Sequence, residues 1–402
     1  MKKALDRQSI LLLAVNGLFV LSGALSGTFL NVFLWKSKQD YAMIGWFTVS
    51  QQLALGLTFW IAGKWVKEHN KMNALRAGTA LSGIFYMVVL LAGKNAVFYI
   101  WPLGLVLGAA LGLFWLAFNV VTFEVTDAGS RDLFNGWIGL LGSVTGIVGP
   151  WFSGWIISRM QDNAGYRLIF AISLGIYGVA VVFSFFLKKR KLEGHYQWGT
   201  PWRELMRPES PWRRVSLGLV SQGLREGVYS FLIGLLVYEA TRQEWKLGQF
   251  SLITSAVSLV TFWLAGRWLK PKYRYAGMLV GALLLAGFMI PLLWSLKYGM
   301  LLVMGIGTAV FMPLYLIPMV SVSFDLMGTS EESANNRVEL MVLRELCLMC
   351  GRLAGILLFV VVLSISDAPV TVTWLIVGLG FAPVLSWLFM RTQLKEKSGK
   401  SQ

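Results

Sequence analysis

The sequence predicts an all-α membrane protein of twelve transmembrane helices, arranged as two pseudo-symmetric six-helix bundles. Three observations carry this expectation. Of 402 residues, 56% are apolar and only 14% charged, against about 25% charged in soluble domains. Apolar stretches of membrane-spanning length recur along the whole chain. A nine-residue segment returns at an offset of half the chain. A globular core of this size could not hide so much apolar surface from water. Soluble enzyme, nucleic-acid binder and disordered chain are therefore excluded.

A bilayer core of about 30 Å takes roughly 20 helical residues. Segments of that kind fall at 9–35, 41–63, 73–93, 96–123, 132–158, 166–187, 213–238, 247–269, 275–296, 298–324, 335–364 and 369–390. The first follows Met1-Lys2-Lys3 and is longer than the roughly 7–15 apolar residues of a secretory signal. Ala24-Leu25-Ser26-Gly27 is accordingly read as part of a retained helix and not as a cleavage site. The longest hydrophilic interruption, Lys188 to Arg214, gives the expected organisation: a bundle over 1–187, a basic linker over 188–212, and a second bundle over 213–402 ending in a short tail.

Charge sets the expected orientation. With an even number of spans, the side holding both termini and the linker carries 25 Lys and Arg, and the other side carries 8. By the positive-inside rule, both termini and the linker are cytoplasmic. The formal charge of +16 is thus a topology signal and not a nucleic-acid footprint. The run Lys188-Lys189-Arg190-Lys191 could also touch anionic lipid.

The internal repeat is specific. Phe59-Trp60-Ile61-Ala62-Gly63-Lys64-Trp65-Val66-Lys67 closes the second span, and Phe262-Trp263-Leu264-Ala265-Gly266-Arg267-Trp268-Leu269-Lys270 closes the eighth. Weaker echoes pair Asn16-Gly17-Leu18 with Gln222-Gly223-Leu224, and Phe123-Glu124 with Phe324-Asp325. Duplicated halves of this kind are the sequence symmetry of a transporter.

On these residues the chain resembles the major facilitator superfamily over nearly its whole length. The loop after the second span is similar to that family's signature loop. Gly63 is in place, but Lys67 stands where the family has Asp and Glu68 where it has Arg; Asn70 replaces the second Gly, and Lys71 keeps a basic residue. The fifth span, Gly142-Ser143-Val144-Thr145-Gly146-Ile147-Val148-Gly149-Pro150-Trp151-Phe152-Ser153-Gly154, resembles the Gly-Pro motif of the family's exporter branches. There Gly146, Gly149 and Gly154 would allow close helix approach and Pro150 would bend the helix. The overall pattern is similar to poorly characterised facilitator-type proteins of Gram-positive bacteria. The resemblance implies the facilitator fold in the bacterial cytoplasmic membrane, a central site between the first, fourth, seventh and tenth helices, and transport by alternating access.

Candidate pathway residues concentrate in the second half. Charges inside spans are costly and mark protein- or water-facing positions. The seventh span holds Gln222, Arg225, Glu226 and Tyr229; Gln222, Glu226 and Tyr229 follow i, i+4, i+7 spacing, with Arg225 turned toward a neighbouring helix. The eleventh holds Glu339, Arg344, Glu345 and Arg352. Two Arg-Glu dipeptides at matching depth are expected to cross-pair. They have two readings: a permanent lock between helices, or a group that handles protons or an anionic substrate. Tyr315, between Pro313 and Pro318 in the tenth span, is expected to line a kinked, cavity-facing helix. In the first half, Asn16, Trp115 and Asn119 could line a substrate path, or Gly104, Gly108 and Gly112 could pack that helix with Trp115 facing lipid. Thr48, Gln51 and Gln52, which the repeat maps onto Ser251, Thr254 and Ser255, either line a polar cavity or hydrogen-bond across helices.

The repeat also predicts an inner gate with charges swapped relative to the family. Lys64 or Lys67 would meet Glu124, and Arg267 or Lys270 would meet Asp325; the same charges could equally be topology markers without partners.

No metal or cofactor is expected. There are two His and two Cys, and Cys347 and Cys350, within an apolar helix, read as packing residues. The expected partners are the lipid bilayer, an unidentified small-molecule substrate and protons, with no nucleic acid, and the chain is expected to act as a monomer. The expected function is a secondary active transporter, not an enzyme, with proton-coupled antiport in efflux preferred and import, or transport without proton coupling, left open by the same residues. The alternatives are a lipid or lipid-linked glycan translocase and a non-transporting membrane scaffold or sensor.

Orientation is directly testable. In a background lacking Cys347 and Cys350, Ser37→Cys should react with an impermeant maleimide added outside intact cells, and Gly199→Cys should not. The reverse pattern would overturn the topology.

Overall fold

Helix caps define where each apolar run begins and ends. Asp6 accepts the Ser9 N–H and opens α1 (Arg7–Lys38); Gln39, in the left-handed region at φ 54°, closes it. Asp40 caps α2 (Tyr41–Glu68) through the Met43 N–H, and Asn70 caps α3 (Lys71–Ala92). After a 3-10 stretch come α4 (Ile100–Val125), α5 (Arg131–Arg159) and α6 (Ala164–Phe185). A short α7 (Thr200–Met206) lies within the linker. Then follow α8 (Pro211–Thr241), α9 (Glu244–Trp268), α10 (Arg274–Gly287), α11 (Tyr298–Leu326), α12 (Glu331–Asn335), α13 (Arg337–Ile365), α14 (Pro369–Gly380) and α15 (Ala382–Gly399). This computed structural model describes residues 5–126, 131–189, 194–328, 330–366 and 368–399. Arg190 and Lys191 of the basic run lie outside them, as does the Phe123 side chain.

The described residues are helical, with no strand among them. Nine stretches of them are long and apolar enough to cross a membrane. One, Lys71–Thr122, covers two of the twelve expected spans, while α2 and α8 are not among the nine. Two expected spans are broken. The segment 275–296 ends α10 at Gly287 and continues as a 3-10 turn, Ile290–Leu293. The last is interrupted at Phe381, just before Pro383, which lacks the N–H a continuous helix needs. By contrast α5 runs through Pro150, and α11 runs through Pro313 and Pro318.

The chain forms two compact units, Met1–Tyr196 with Arg242–Leu252, and Gln197–Thr241 with Ile253–Gln402. In the first, α4 packs on α2 and α3, and α1 on α5 and α6. Hydroxyls are spent inside this unit: Ser22 Oγ donates to the Ser173 carbonyl at 2.7 Å, and Ser153 Oγ to the Leu25 carbonyl at 2.7 Å. Such bonds tie neighbouring helices where water is absent. Gly104, Gly108 and Gly112 form the face of α4 that meets α2; a Cβ at Gly108 would lie 2.8 Å from Ala54 Cβ, and one at Gly112 2.8 Å from Thr58 Cβ. Of the two roles open to these glycines, they take helix packing. Thr48 donates to Ile44 of its own helix.

In the second unit, α8 packs on α13 and α15, and α10 on α11 and α15. The α8–α13 crossing interleaves two Gly-xxx-Gly pairs. Gly223 and Gly227 lie against the backbone of Leu348 to Arg352, while Gly351 and Gly355 lie against the carbonyls of Val220 and Leu224. Small residues let two backbones approach this closely in the absence of a hydrophobic drive between helices.

A methyl at Gly351 would fall on the Val220 carbonyl, whereas one at Gly378 meets open space. Gly351→Ala should therefore lose about 1–3 kcal/mol of stability through overpacking, and Gly378→Ala should lose none, read as melting temperature in detergent. Equal melting of both variants would remove the crossing as a determinant.

Candidate functional site

The close α8–α13 approach fixes their register. Because Gly223 and Gly227 sit beside Arg352, Arg225 and Glu226 are level with Arg352. Arg344 and Glu345 lie seven to eight residues toward the helix start, about 10–12 Å lower at 1.5 Å per residue. The two Arg-Glu dipeptides are therefore offset and not at matching depth. Arg352 joins the two levels: its Nη2 is 2.9 Å from Glu226 Oε1 and its Nη1 is 2.6 Å from Glu345 Oε1. One guanidinium thus serves two carboxylates, using the planar fork that lysine lacks. The Glu226 side chain is 40% exposed and that of Glu345 only 12%.

The polar stripe of α8 diverges. Glu226 turns to α13, while the Tyr229 hydroxyl donates to the Ile376 carbonyl of α14 at 2.6 Å. Gln222 is buried, and its Oε1 has no hydrogen-bond partner among the described residues. Arg225 does reach a neighbouring helix, with Nη1 3.9 Å from Met312 Sδ of α11, and its guanidinium also lies over the Tyr229 ring at 4.5 Å. Arg344 lies 5.7 Å from the Phe324 ring centroid. Neither arginine makes an ion pair among the described residues. Tyr315 is fully buried within its unit, packed at Gly281. Glu339, also fully buried, accepts the Gln197 N–H at 2.9 Å and so anchors the linker.

First-half candidates are less converged. Asn16 is buried, with Oδ1 lacking a hydrogen-bond partner among the described residues. Trp115 and Asn119 are half-buried, and Trp115 makes edge contacts with Phe19, Phe114 and Phe118, so it is part of an aromatic cluster. On α5, Gly149 meets Ala24 of α1, Gly146 is half-buried, and Gly154 meets the first turns of α9 at Gly248, which in turn rests on Pro150.

The expected gate pairs are made by different bases. Lys71, fully buried at the start of α3, pairs with Glu124, and Arg274, at the start of α10, pairs with Asp325 at 3.1 Å. Each pair braces two helices of one unit. Lys64 instead lies 3.9 Å from Glu68, Lys67 is buried, Arg267 stacks on Trp263, and Lys270 is exposed. Lys71 and Arg274 are 203 residues apart, so extending the repeat by one turn would have found them. Gly63 takes the Tyr196 ring, a Cβ there lying 2.8 Å from its hydroxyl. The Tyr196 N–H donates to Glu68 at 2.9 Å and holds that carboxyl below its usual range. Its stabilising contribution is present at neutral pH and fades as pH falls through the lowered pKa. Sequence reasoning also missed Glu244, whose Oε1 accepts from Lys36 at 2.9 Å and from the Tyr166 hydroxyl at 2.8 Å. A separation of 208 residues leaves no sequence signal for it.

Removing only the shared cation leaves two facing carboxylates. Arg352→Gln should cost about 2 kcal/mol or more, short of the 3–5 of a fully buried pair because Glu226 is partly open. Adding Glu226→Gln and Glu345→Gln should recover much of it. A triple variant no more stable than Arg352→Gln would contradict the charge argument.

Comparison with known proteins places this geometry. The family model of the Major Facilitator Superfamily matches residues 12–330. An uncharacterized protein of Bacillus subtilis (strain 168), YqgE, is 37% identical over 395 residues, 98% of this chain and 91% of that protein. An uncharacterized protein of Geobacillus stearothermophilus from the sodM 3' region is 38% identical over 169 residues, 42% of this chain and 79% of that one. Similar solved structures include a D-xylose-proton symporter (TM-score 0.70, 13% identity, 95% of this chain and 97% of that one). The fucose:proton symporter of E. coli is also similar (TM-score 0.68, 14%, 97% and 99%), as is the human organic anion transporter MFSD10 (TM-score 0.68, 14%, 96% and 100%). At these identities the structures speak for the fold alone, and the family match carries the assignment: the chain belongs to the major facilitator superfamily, a multi-pass membrane transporter and not an enzyme.

Proposed function

We propose that this transporter is a proton-coupled antiporter that exports a small solute from the cytoplasm by alternating access, with the Glu226 and Glu345 carboxylates carrying the proton and Arg352 as their permanent counter-charge. The observation behind this reading is the single guanidinium shared by two carboxylates inside the span. With both acids ionised, Arg352 satisfies each with one arm of its fork. A proton arriving at Glu226, the more open acid, replaces that bond and leaves Arg352 to Glu345 alone. Loss of the proton restores the bridge. Titratable and charged neighbours are Arg225 and Tyr229 on α8, Arg344 on α13, and Tyr315 on α11. Since α8 and α13 are in backbone contact, the change falls on side chains and not on helix sliding. The export direction is supported only by the resemblance of the Gly149-Pro150 segment of α5 to the motif of the family's exporter branches; its glycines pack on α1 and α9.

The test uses proteoliposomes loaded with a pH-sensitive dye and a small-molecule extract of the producing cells as substrate source. Wild-type protein should move protons on addition of extract, and Glu226→Gln and Glu345→Gln should lose most of that flux, by tenfold or more on the scale of a lost acid–base group. Full flux in Glu226→Gln would remove it from the mechanism. No extract-dependent flux in the wild type would overturn proton coupling.

A further inference from the structure

We propose that the second unit holds a recognition site for a small organic monoanion, centred on Arg225. This rests on the transporter reading above and names its substrate class. Arg225 is 4% exposed. Its company is one thioether, Met312, and Tyr229, through both its ring and its hydroxyl, and its Nε has no hydrogen-bond partner among the described residues. A thioether is a weak acceptor, so a guanidinium with five donors is left almost without acceptors in a span. The nearby acids do not serve it: Glu226 and Glu345 are both engaged by Arg352. Two further buried polar atoms flank it, Gln222 Oε1 with no hydrogen-bond partner among the described residues and the Tyr315 hydroxyl with only the Ser386 side chain near it. Gln222 lies one turn before it on the same helix, and the Tyr315 hydroxyl lies one turn after Met312 on α11.

Local charge gives the ligand's valence. Glu226 and Glu345 are taken by Arg352, so Arg225 has no acid of its own and one negative charge balances it. Arg344 stands about two turns lower beside Phe324, so it does not share an anion with Arg225, which argues against a dianion. The Arg fork matches a carboxylate with two parallel bonds, and a Tyr hydroxyl is a further donor to it. The ring of Tyr229 and the Met312 side chain offer the rest of the ligand apolar contact. The class is therefore a carboxylate on an apolar body, in preference to a compact, strongly hydrated oxyanion.

The experiment is a thermal-shift titration of the full-length protein in detergent, at fixed pH and ionic strength, with three probes: benzoate, its neutral isostere benzamide, and inorganic phosphate. Benzoate should stabilise the wild type beyond matched chloride, and benzamide and phosphate should not. Arg225→Gln should weaken benzoate at least about tenfold, as loss of a charge-assisted bond implies, Arg225→Lys should weaken it less, and Arg391→Gln, an exposed charge loss, should leave it unchanged. No benzoate shift in the wild type, equal shifts with benzamide, or an unaltered shift in Arg225→Gln would overturn the site. Phosphate as effective as benzoate would overturn the organic class. The wild-type probe comparison decides even if Arg225→Gln does not fold. Extract-driven proton flux without benzoate recognition would sink this inference and leave the proton-coupled reading standing; benzoate recognition without proton flux would do the reverse.

Discussion

The second unit depends on one arginine held between two acids. Arg352 can bridge Glu226 and Glu345 because its own backbone is pressed against Gly223 and Gly227. Were α8 and α13 spaced by larger side chains, Arg352 would stand farther from Glu226 and the two levels would lose their link. Packing and electrostatics are here one constraint. The glycines bring the helices together, and the crossing decides which charges meet. Carboxylates of this kind are costly inside a bilayer unless paired, so the crossing and the cluster require each other.

The duplication is visible in what braces each unit. Lys71–Glu124 and Arg274–Asp325 join equivalent helices through residues that the repeat relates. Beyond these braces the halves differ. The first holds its helices with hydroxyl-to-carbonyl bonds and an aromatic cluster of Phe19, Phe114, Trp115 and Phe118. The second concentrates charge at mid-span. A duplicated fold has thus kept its mechanical ties in both copies and gathers its mid-span charges in one.

Much of this was legible in the sequence for physical reasons. Span length and composition gave the fold class, because a bilayer admits few alternatives. Arg225, Glu226, Glu345 and Arg352 stood out because charges are rare in such segments. Their pairing was not legible, since helix register depends on which glycines interlock, and a depth count from helix starts placed Arg344 and Glu345 two turns too high. Gly223-xxx-Gly227 and Gly351-xxx-Gly355 were readable as a close-approach signal that corrects the count. The gate pairs failed for another reason. The repeat named the right acids, but the bases sit one turn past the matching segment, at Lys71 and Arg274. Breaks at Phe381 and after Gly287 left only Pro383 and Pro291 as traces, and α11 shows that proline alone does not end a membrane helix.

The central claim is that an acid of this cluster gains and loses a proton within the membrane-spanning helices. Infrared difference spectroscopy of the reconstituted protein between acidic and alkaline buffer reads that event through the protonated-carboxyl stretch. The wild type should show a titrating band that is absent from the Glu226→Gln, Glu345→Gln double variant. The same band undiminished in the double variant would contradict the account.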